Sequence, residues 1–191
     1  VSTYLSYANK WSTVAVNTKE PPVARIRPLT RDELGPFTEA FDAIEEVSGY
    51  VPNSLLTMAH RPQLLAAFMP LASEVLMGES SLAPGLRNLV ANVASRAAGC
   101  QYCIAHTAQS SAKAGIEADK IAVAFEYETN PLFTEAERAA LNVAQCAASV
   151  PNMITDKDFD RLRAYYTEEQ IVEIMGVIAL FGFLNRWNDS I

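Results

Sequence analysis

Three Thr-x-x-Glu/Gln tetrads constrain this chain more than any other feature: Thr30-Arg31-Asp32-Glu33, Thr134-Glu135-Ala136-Glu137 and Thr167-Glu168-Glu169-Gln170. In such a box the threonine hydroxyl accepts the amide three residues on, and the Glu or Gln reaches back to the threonine's own amide. Two of the donors left unpaired at a helix N-terminus are thereby satisfied. Apolar residues recur at helical spacing elsewhere too. Leu64, Leu65, Phe68, Leu71, Ala72 and Val75 make a stripe over 62–77, and Phe37, Phe41 and Ile44 make one over about 37–47. No segment alternates apolar and polar residues as a half-buried strand would, so the expected fold class is all-α, a helical bundle.

The remaining helices are marked by their punctuation. Asn53 or Ser54 is expected to cap a short helix stopping near His60, and Pro62 to open the helix that Met77-Gly78 ends. Pro84 opens a helix through Leu86 to Ala94, closed by Gly99 in a left-handed conformation, and a further helix runs from Cys100 to about Gly115. Others are expected from Asp119 to about Tyr127, from the second box to about Ser149, from Asp156 to Tyr165, and from Ile171 to about Leu184. The segment from Leu86 to Ala94 faintly echoes that from Ile171 to Ala179.

With 191 residues, half of them apolar, one core and one domain are expected, over 25–191, preceded by an irregular arm over 1–24 that carries Tyr4, Tyr7, Trp11 and Pro21-Pro22. A net charge of −7 and the lack of a Lys/Arg cluster argue against nucleic acid or an anionic membrane as partner. The longest apolar run, 174–184, falls short of the roughly 20 residues that span a bilayer and reads as a buried helix. Three cysteines fit a reducing compartment, and the first ten residues hold no signal-peptide core, so a cytoplasmic location is expected.

Two of those cysteines and one of two histidines fall in Gly99-Cys100-Gln101-Tyr102-Cys103-Ile104-Ala105-His106-Thr107. A helix start at Cys100 offers unpaired amides and partial positive charge, which favour thiolate over thiol. Cys103 and His106 follow along one i, i+3 ridge, so the imidazole is expected to neighbour Cys103 and exchange a proton with it. Tyr102 either faces solvent or lines a pocket. The bland reading is a buried pair of small residues with a satisfied core histidine. Zinc is disfavoured, because Cys100, Cys103 and His106 leave only Cys146, His60 or a carboxylate for a fourth ligand. Cys146, among Ala144, Ala147 and Ala148, reads as packing, and His60 as a residue of a helix junction.

The cysteine stretch, its preceding helix, the segment Gly49-Tyr50-Val51-Pro52-Asn53 with His60-Arg61-Pro62, and the ending Phe183-Leu184-Asn185-Arg186-Trp187-Asn188-Asp189 resemble the carboxymuconolactone decarboxylase and alkyl hydroperoxidase D (AhpD-like) superfamily, in its peroxidase-related branch. The resemblance covers about residues 25–191. It implies an AhpD-like all-helical domain, a homo-oligomer (dimer, trimer or hexamer), and thiol-dependent reduction of a hydroperoxide substrate with an external thiol reductant. No cofactor is implied beyond a redox-active Cys100–Cys103 disulfide. By the family's order Cys103 attacks and becomes a sulfenic acid, while Cys100 donates a proton and closes the disulfide.

The family pattern is Glu, eleven residues, CxxC, three residues, His. Here Asn88 stands at the Glu position and Thr107 at the His position, with the histidine one residue early at His106. Asparagine orients but carries no proton at neutral pH. Either the proton relay is weakened here or a carboxylate comes from elsewhere, with Glu74, Glu79 and Glu173 as candidates and Glu173 favoured only by the faint repeat. The competing functions are a redox-sensing or partner-binding oligomer without catalysis, and a lactone decarboxylase or hydrolase using the same pocket. Decarboxylases of the superfamily typically lack the cysteine pair.

Overall fold

The computed structural model describes residues 24–191, so the expected arm falls outside the described residues save its last one. Two 3₁₀ turns, Arg31–Glu33 and Gly35–Phe37, lead into α1 (Thr38–Ser48), α2 (Asn53–Met58), α3 (Pro62–Met77), α4 (Leu86–Ala98), α5 (Gln101–Lys113) and α6 (Ala118–Ala122). A third 3₁₀ turn, Ala124–Glu126, precedes α7 (Glu135–Ala148), α8 (Asp156–Arg163) and α9 (Glu168–Ser190). The described residues hold no strand, and the fold is an all-α, AhpD-like bundle.

α4 is the central helix. Its apolar residues Leu86, Leu89, Val90, Val93 and Ala94 are buried, and so are Asn92 and Ser95, because α5, α7 and α9 pack round it. α9 crosses both halves of the core. Ile174, Val177 and Phe181 join the cluster around α4, while Leu180 joins a second cluster made by Phe41, Met58, Leu65 and Phe68 from α1–α3. By length and composition α9 is apolar enough to cross a membrane; Ile171, Ile174, Val177, Ile178, Leu180 and Phe181 lie in these two clusters, while Val172 and Phe183 are exposed.

The second and third threonine boxes form as expected, with Thr134 accepting the amide of Glu137 and Thr167 that of Gln170. The first opens only a 3₁₀ turn. A further box, Thr155 with Asp158, opens α8. Neither Asn53 nor Ser54 caps α2: Pro52 is the cap residue and Ser54 is buried within the helix. Pro84 does not open α4 either, because Ala83, Pro84 and Gly85 make a turn first, closed by Leu86 N–H donating to Ala83 O at 3.1 Å. Gly85 is fixed there twice over, by φ +79° and by Ile116, whose Cδ1 lies 2.5 Å from where a Cβ would sit. The helix expected from Asp119 to Tyr127 breaks at Val123 into α6 and the 3₁₀ turn.

α9 outruns its apolar run by a turn and a half, to Ser190. Contacts with distant segments hold the extension. Trp187 Nε1 donates to Thr57 Oγ1 at 3.0 Å, and Arg25 donates from its amide to Ile191 O (2.6 Å) and from Nη1 to Ser190 O (2.8 Å). Arg186 Nη1 donates to Gly182 O on its own helix, and neither Arg186 nor Asp189 forms an ion pair among the described residues.

Candidate active site

Gly99, at φ +80°, turns the chain between α4 and α5 and delivers Cys100 to the N-cap of α5. Cys103 N–H donates to the Cys100 sulfur at 3.5 Å. Both cysteines are buried, and no disulfide joins them. The Cys100 thiol is lowered to about 7, first by the hydrogen bond from the Cys103 side chain and then by the backbone amides of Cys103 and Tyr102, against the opposing effect of burial. The same thiol-to-thiol bond, followed by burial, pushes Cys103 up, and Asn188 pulls it partly back. Of the two thiols, Cys100 is therefore the one that gives up its proton first, and Cys103 the one that keeps it.

Cys103 forms part of the wall of a cavity of about 330 Å³ at the seam of the two core clusters, and Cys100 lies behind it. Leu55, Phe68, Phe181 and Leu184 give the wall its apolar character; Asn88, His106 and Asn188 are polar points on it. Asn188, from the last turns of α9, donates from Nδ2 to Cys103 Sγ at 3.3 Å. No carboxylate lines the cavity among the described residues, and Lys113 is the cation at its rim.

The expected pairing of His106 with Cys103 is not what forms. The imidazole turns to Tyr50, with Oη and Nδ1 2.6 Å apart, and the phenol donates when the ring carries its proton on Nε2. Tyr50 meets the ring edge-on with centroids 5.4 Å apart, and Tyr102 stacks on it at 6.0 Å. Burial lowers the His106 pKa and raises that of Tyr50, so both groups are neutral near pH 7. A helical ridge describes the neighbours on one helix only. Here the loop before α2 supplies a better partner for the ring.

The other candidates separate clearly. Asn88 lines the cavity from α4, as its place in the family pattern implies. Glu74 is exposed on α3, and Glu173 accepts from Ser80 Oγ at 2.5 Å. Neither lines the cavity, nor does Glu79, so the expectation of a carboxylate relay from these positions is corrected. Tyr102 lines the cavity and remains 38% exposed. Thr107 is locked by donating to Cys103 O (2.7 Å) and accepting from the buried Asn92 amide (2.9 Å). His60 Nε2 bonds Arg27 O at 2.8 Å, a structural link. Cys146 stands apart on α7, its sulfur 3.9 Å from Asn142 Oδ1. Among the described residues no group of three His, Cys, Asp or Glu side chains converges as a metal site would require.

Tyr50 and Asn188 are the site residues that sequence reasoning passed over. Both lie in segments quoted for the family resemblance, Gly49 to Asn53 and Phe183 to Asp189, but neither segment discloses that it converges on the cysteines.

The Cys-x-x-Cys thus opens a helix of an all-α bundle, with its second cysteine on the wall of an apolar cavity. The chain belongs to the carboxymuconolactone decarboxylase family, whose model matches residues 62–145, and to the AhpD-like superfamily around it. The debrominase Bmp8 is 35% identical, with a TM-score of 0.81 over 87% of this chain and 89% of that one. A cysteine-to-alanine variant of Bmp8, in complex with 2,3,4-tribromopyrrole, superimposes with a TM-score of 0.82 at 33% identity over 90% and 91% of the two chains. An uncharacterized peroxidase-related protein from Silicibacter sp. TM1040 shares the fold, with a TM-score of 0.75 at 24% identity over 90% of both chains. Among curated proteins, the uncharacterized YnjA of Escherichia coli (strain K12) is 28% identical over 111 residues, 58% of this chain and 61% of its own length.

Proposed function

We propose that this protein is a dithiol-dependent reductase of small organic hydroperoxides, with Cys103 as the attacking sulfur. The observation that carries the reading is the division of labour between the thiols: Cys103 faces the cavity and keeps its proton, and Cys100 waits behind it as the stronger acid. As a peroxide enters, Cys103 passes its proton to the Cys100 thiolate and attacks the terminal peroxide oxygen. The O–O bond breaks, Cys103 becomes a sulfenic acid, and the alkoxide takes a proton from Cys100, relayed across the cavity by Tyr50 and His106. The Cys100 thiolate then attacks the sulfenic sulfur. A disulfide forms, and the hydroxide that leaves takes a proton from solvent to become water. An external thiol restores both cysteines, which places the cycle in a reducing compartment such as the cytoplasm.

Tyr50 and His106 take the place of a carboxylate relay in this scheme, and Asn188 stabilises the thiolate that Cys103 becomes. A second reading draws on the likeness to Bmp8 and on the apolar cavity: reductive removal of bromine from a small aromatic ring. Two thiols and an aryl bromide would give the disulfide, the arene and HBr, with ring protonation by the Tyr50–His106 pair.

One assay separates the readings. The full chain is incubated with dithiothreitol and either an alkyl hydroperoxide or a bromopyrrole, and peroxide loss and bromide release are measured. Peroxide loss that Cys103→Ser abolishes supports the first reading. Bromide release without peroxide loss would install the second, and wild-type peroxide turnover by Cys103→Ser would overturn the role of Cys103 in the first.

A further inference from the structure

The cavity extends well beyond Cys103. Cys103, His106, Ser110 and Lys113 stand at i, i+3, i+7 and i+10 on α5, so they share one face of the helix, and all four line the cavity. α3 adds an apolar wall, where Phe68, Ala72 and Leu76 recur at i, i+4 and i+8. At 1.5 Å per residue, the steps from Cys103 to Lys113 span about 15 Å of α5. The reactive sulfur and a cation are thus set apart along one apolar slot. Lys113 Nζ donates one of its three N–H groups to Ser48 O at 2.9 Å, and it forms no ion pair among the described residues. Its charge reaches the site all the same: after burial, it is the second cause that holds the His106 imidazole below its ordinary value. The chain carries 22 acidic residues against 15 Lys and Arg, yet no carboxylate lines the cavity among the described residues, so the slot is opposite in charge to the molecule around it.

We propose that the hydroperoxide reduced here carries a carboxylate of its own, on an alkyl chain that lays its peroxide at Cys103 and its carboxylate on Lys113. The inference rests on the peroxidase reading above and adds the class of substrate to it. Two N–H groups of Lys113 remain for the anion once Ser48 O has taken the first. Leu76 and Met77, 36% and 69% exposed at the same cavity, offer the alkyl chain apolar surface. A lysine on the last turn of a helix also complements the partial negative charge there, but that role does not call for an apolar slot between the lysine and a cysteine. A straight chain suits the slot because the α5 face and the Phe68–Leu76 stripe both run along it, whereas a compact hydroperoxide would use only the end at Cys103. The chemistry at sulfur is unchanged. The O–O bond breaks, the dithiol gives up two electrons and two protons, and the products are the disulfide, the hydroxy acid and water; the carboxylate takes no part.

Turnover of ω-hydroperoxydecanoate and of its methyl ester tests it, with dithiothreitol as reductant and the full chain as wild type, Lys113→Met and Lys113→Arg. Wild type is expected to prefer the acid roughly tenfold in kcat/KM, the scale of a hydrogen bond to a charged group. The preference should shrink as salt is raised. Lys113→Met is expected to erase it by raising KM for the acid, and Lys113→Arg to keep it. Calorimetry with decanoate, which has no peroxide, reads the same contact without turnover, and Lys113→Met is expected to weaken that binding about tenfold. Equal kcat/KM for acid and ester, a preference that survives Lys113→Met, or decanoate binding indifferent to that change would overturn the proposal and leave the peroxidase reading standing. Reduction of neither hydroperoxide would overturn the reading and the proposal with it. Should Lys113→Met fail to fold, as judged by circular dichroism, the ratio of acid to ester in wild type decides.

Discussion

At the scale of single residues, the site depends on which thiol gives up its proton first. Cys100 is lowered to about 7 chiefly because Cys103 donates to it, so removing that donor in Cys103→Ala should move the Cys100 midpoint up toward the ordinary thiol range. Thiolate absorbance followed against pH reads the shift directly. The sign for turnover follows from the same arrangement. Cys100 must be ionised to accept the Cys103 proton, so the rate should rise with pH through a midpoint near 7 and fall on the acid side. Asn188→Ala removes an N–H from the sulfur that becomes charged and should slow single-turnover disulfide formation about tenfold, the scale of one hydrogen bond to a charged group. The cysteines were legible in the sequence because their setting is local: a glycine, a helix start and three residues of spacing. His106 was legible as a site residue but not in its pairing, since Tyr50 is 56 positions away, and Asn188 is 85 from Cys103.

At the scale of elements, the threonine boxes that open α7 and α9 were easier to read than the end of α9. A threonine box is a four-residue signal with its own chemistry, and Thr134 and Thr167 both form theirs. Replacing Thr167 by alanine should cost about 1 kcal/mol in denaturant unfolding. The box of α8 escaped notice because its acceptor is an aspartate in a strongly polar segment. Asp158 is held below the usual carboxylate range, first by the Thr155 hydroxyl and then by the Thr155 amide, with burial opposing. Its folded pKa is therefore depressed. Its contribution is fully present above the unfolded value and is lost as pH falls through the folded one. Acid titration of stability should show a loss below about pH 4 that Asp158→Asn lacks. The end of α9 could not be read from hydrophobicity, because the turns beyond Leu184 are held by Thr57, Arg25 and Cys103 rather than by an apolar face.

At the scale of the whole molecule, the cavity exists because α9 serves two apolar clusters at once and Cys103 lies where they meet. All-α architecture follows from periodicity in the sequence; the central place of α4 does not, since Leu89, Val90 and Val93 share one face and the helix also buries the polar Asn92 and Ser95. The cavity's wall does not follow, for it is assembled from α2, α3, α4, α5 and α9 together. Truncating Ile174, fully buried where α9 meets α4, should cost about 2–5 kcal/mol in chemical denaturation. The same variant should also slow disulfide formation if packing of α9 is what holds Asn188 on Cys103.

The central claim is that Cys103 and Cys100 form one redox couple beneath the cavity. Alkylation and mass spectrometry before and after a stoichiometric dose of an alkyl hydroperoxide test it most directly. The account predicts that two free thiols disappear, both mapped to Cys100 and Cys103 in a single disulfide, while Cys146 is alkylated as before. Persistence of both thiols, or oxidation that falls on Cys146 instead, would contradict it.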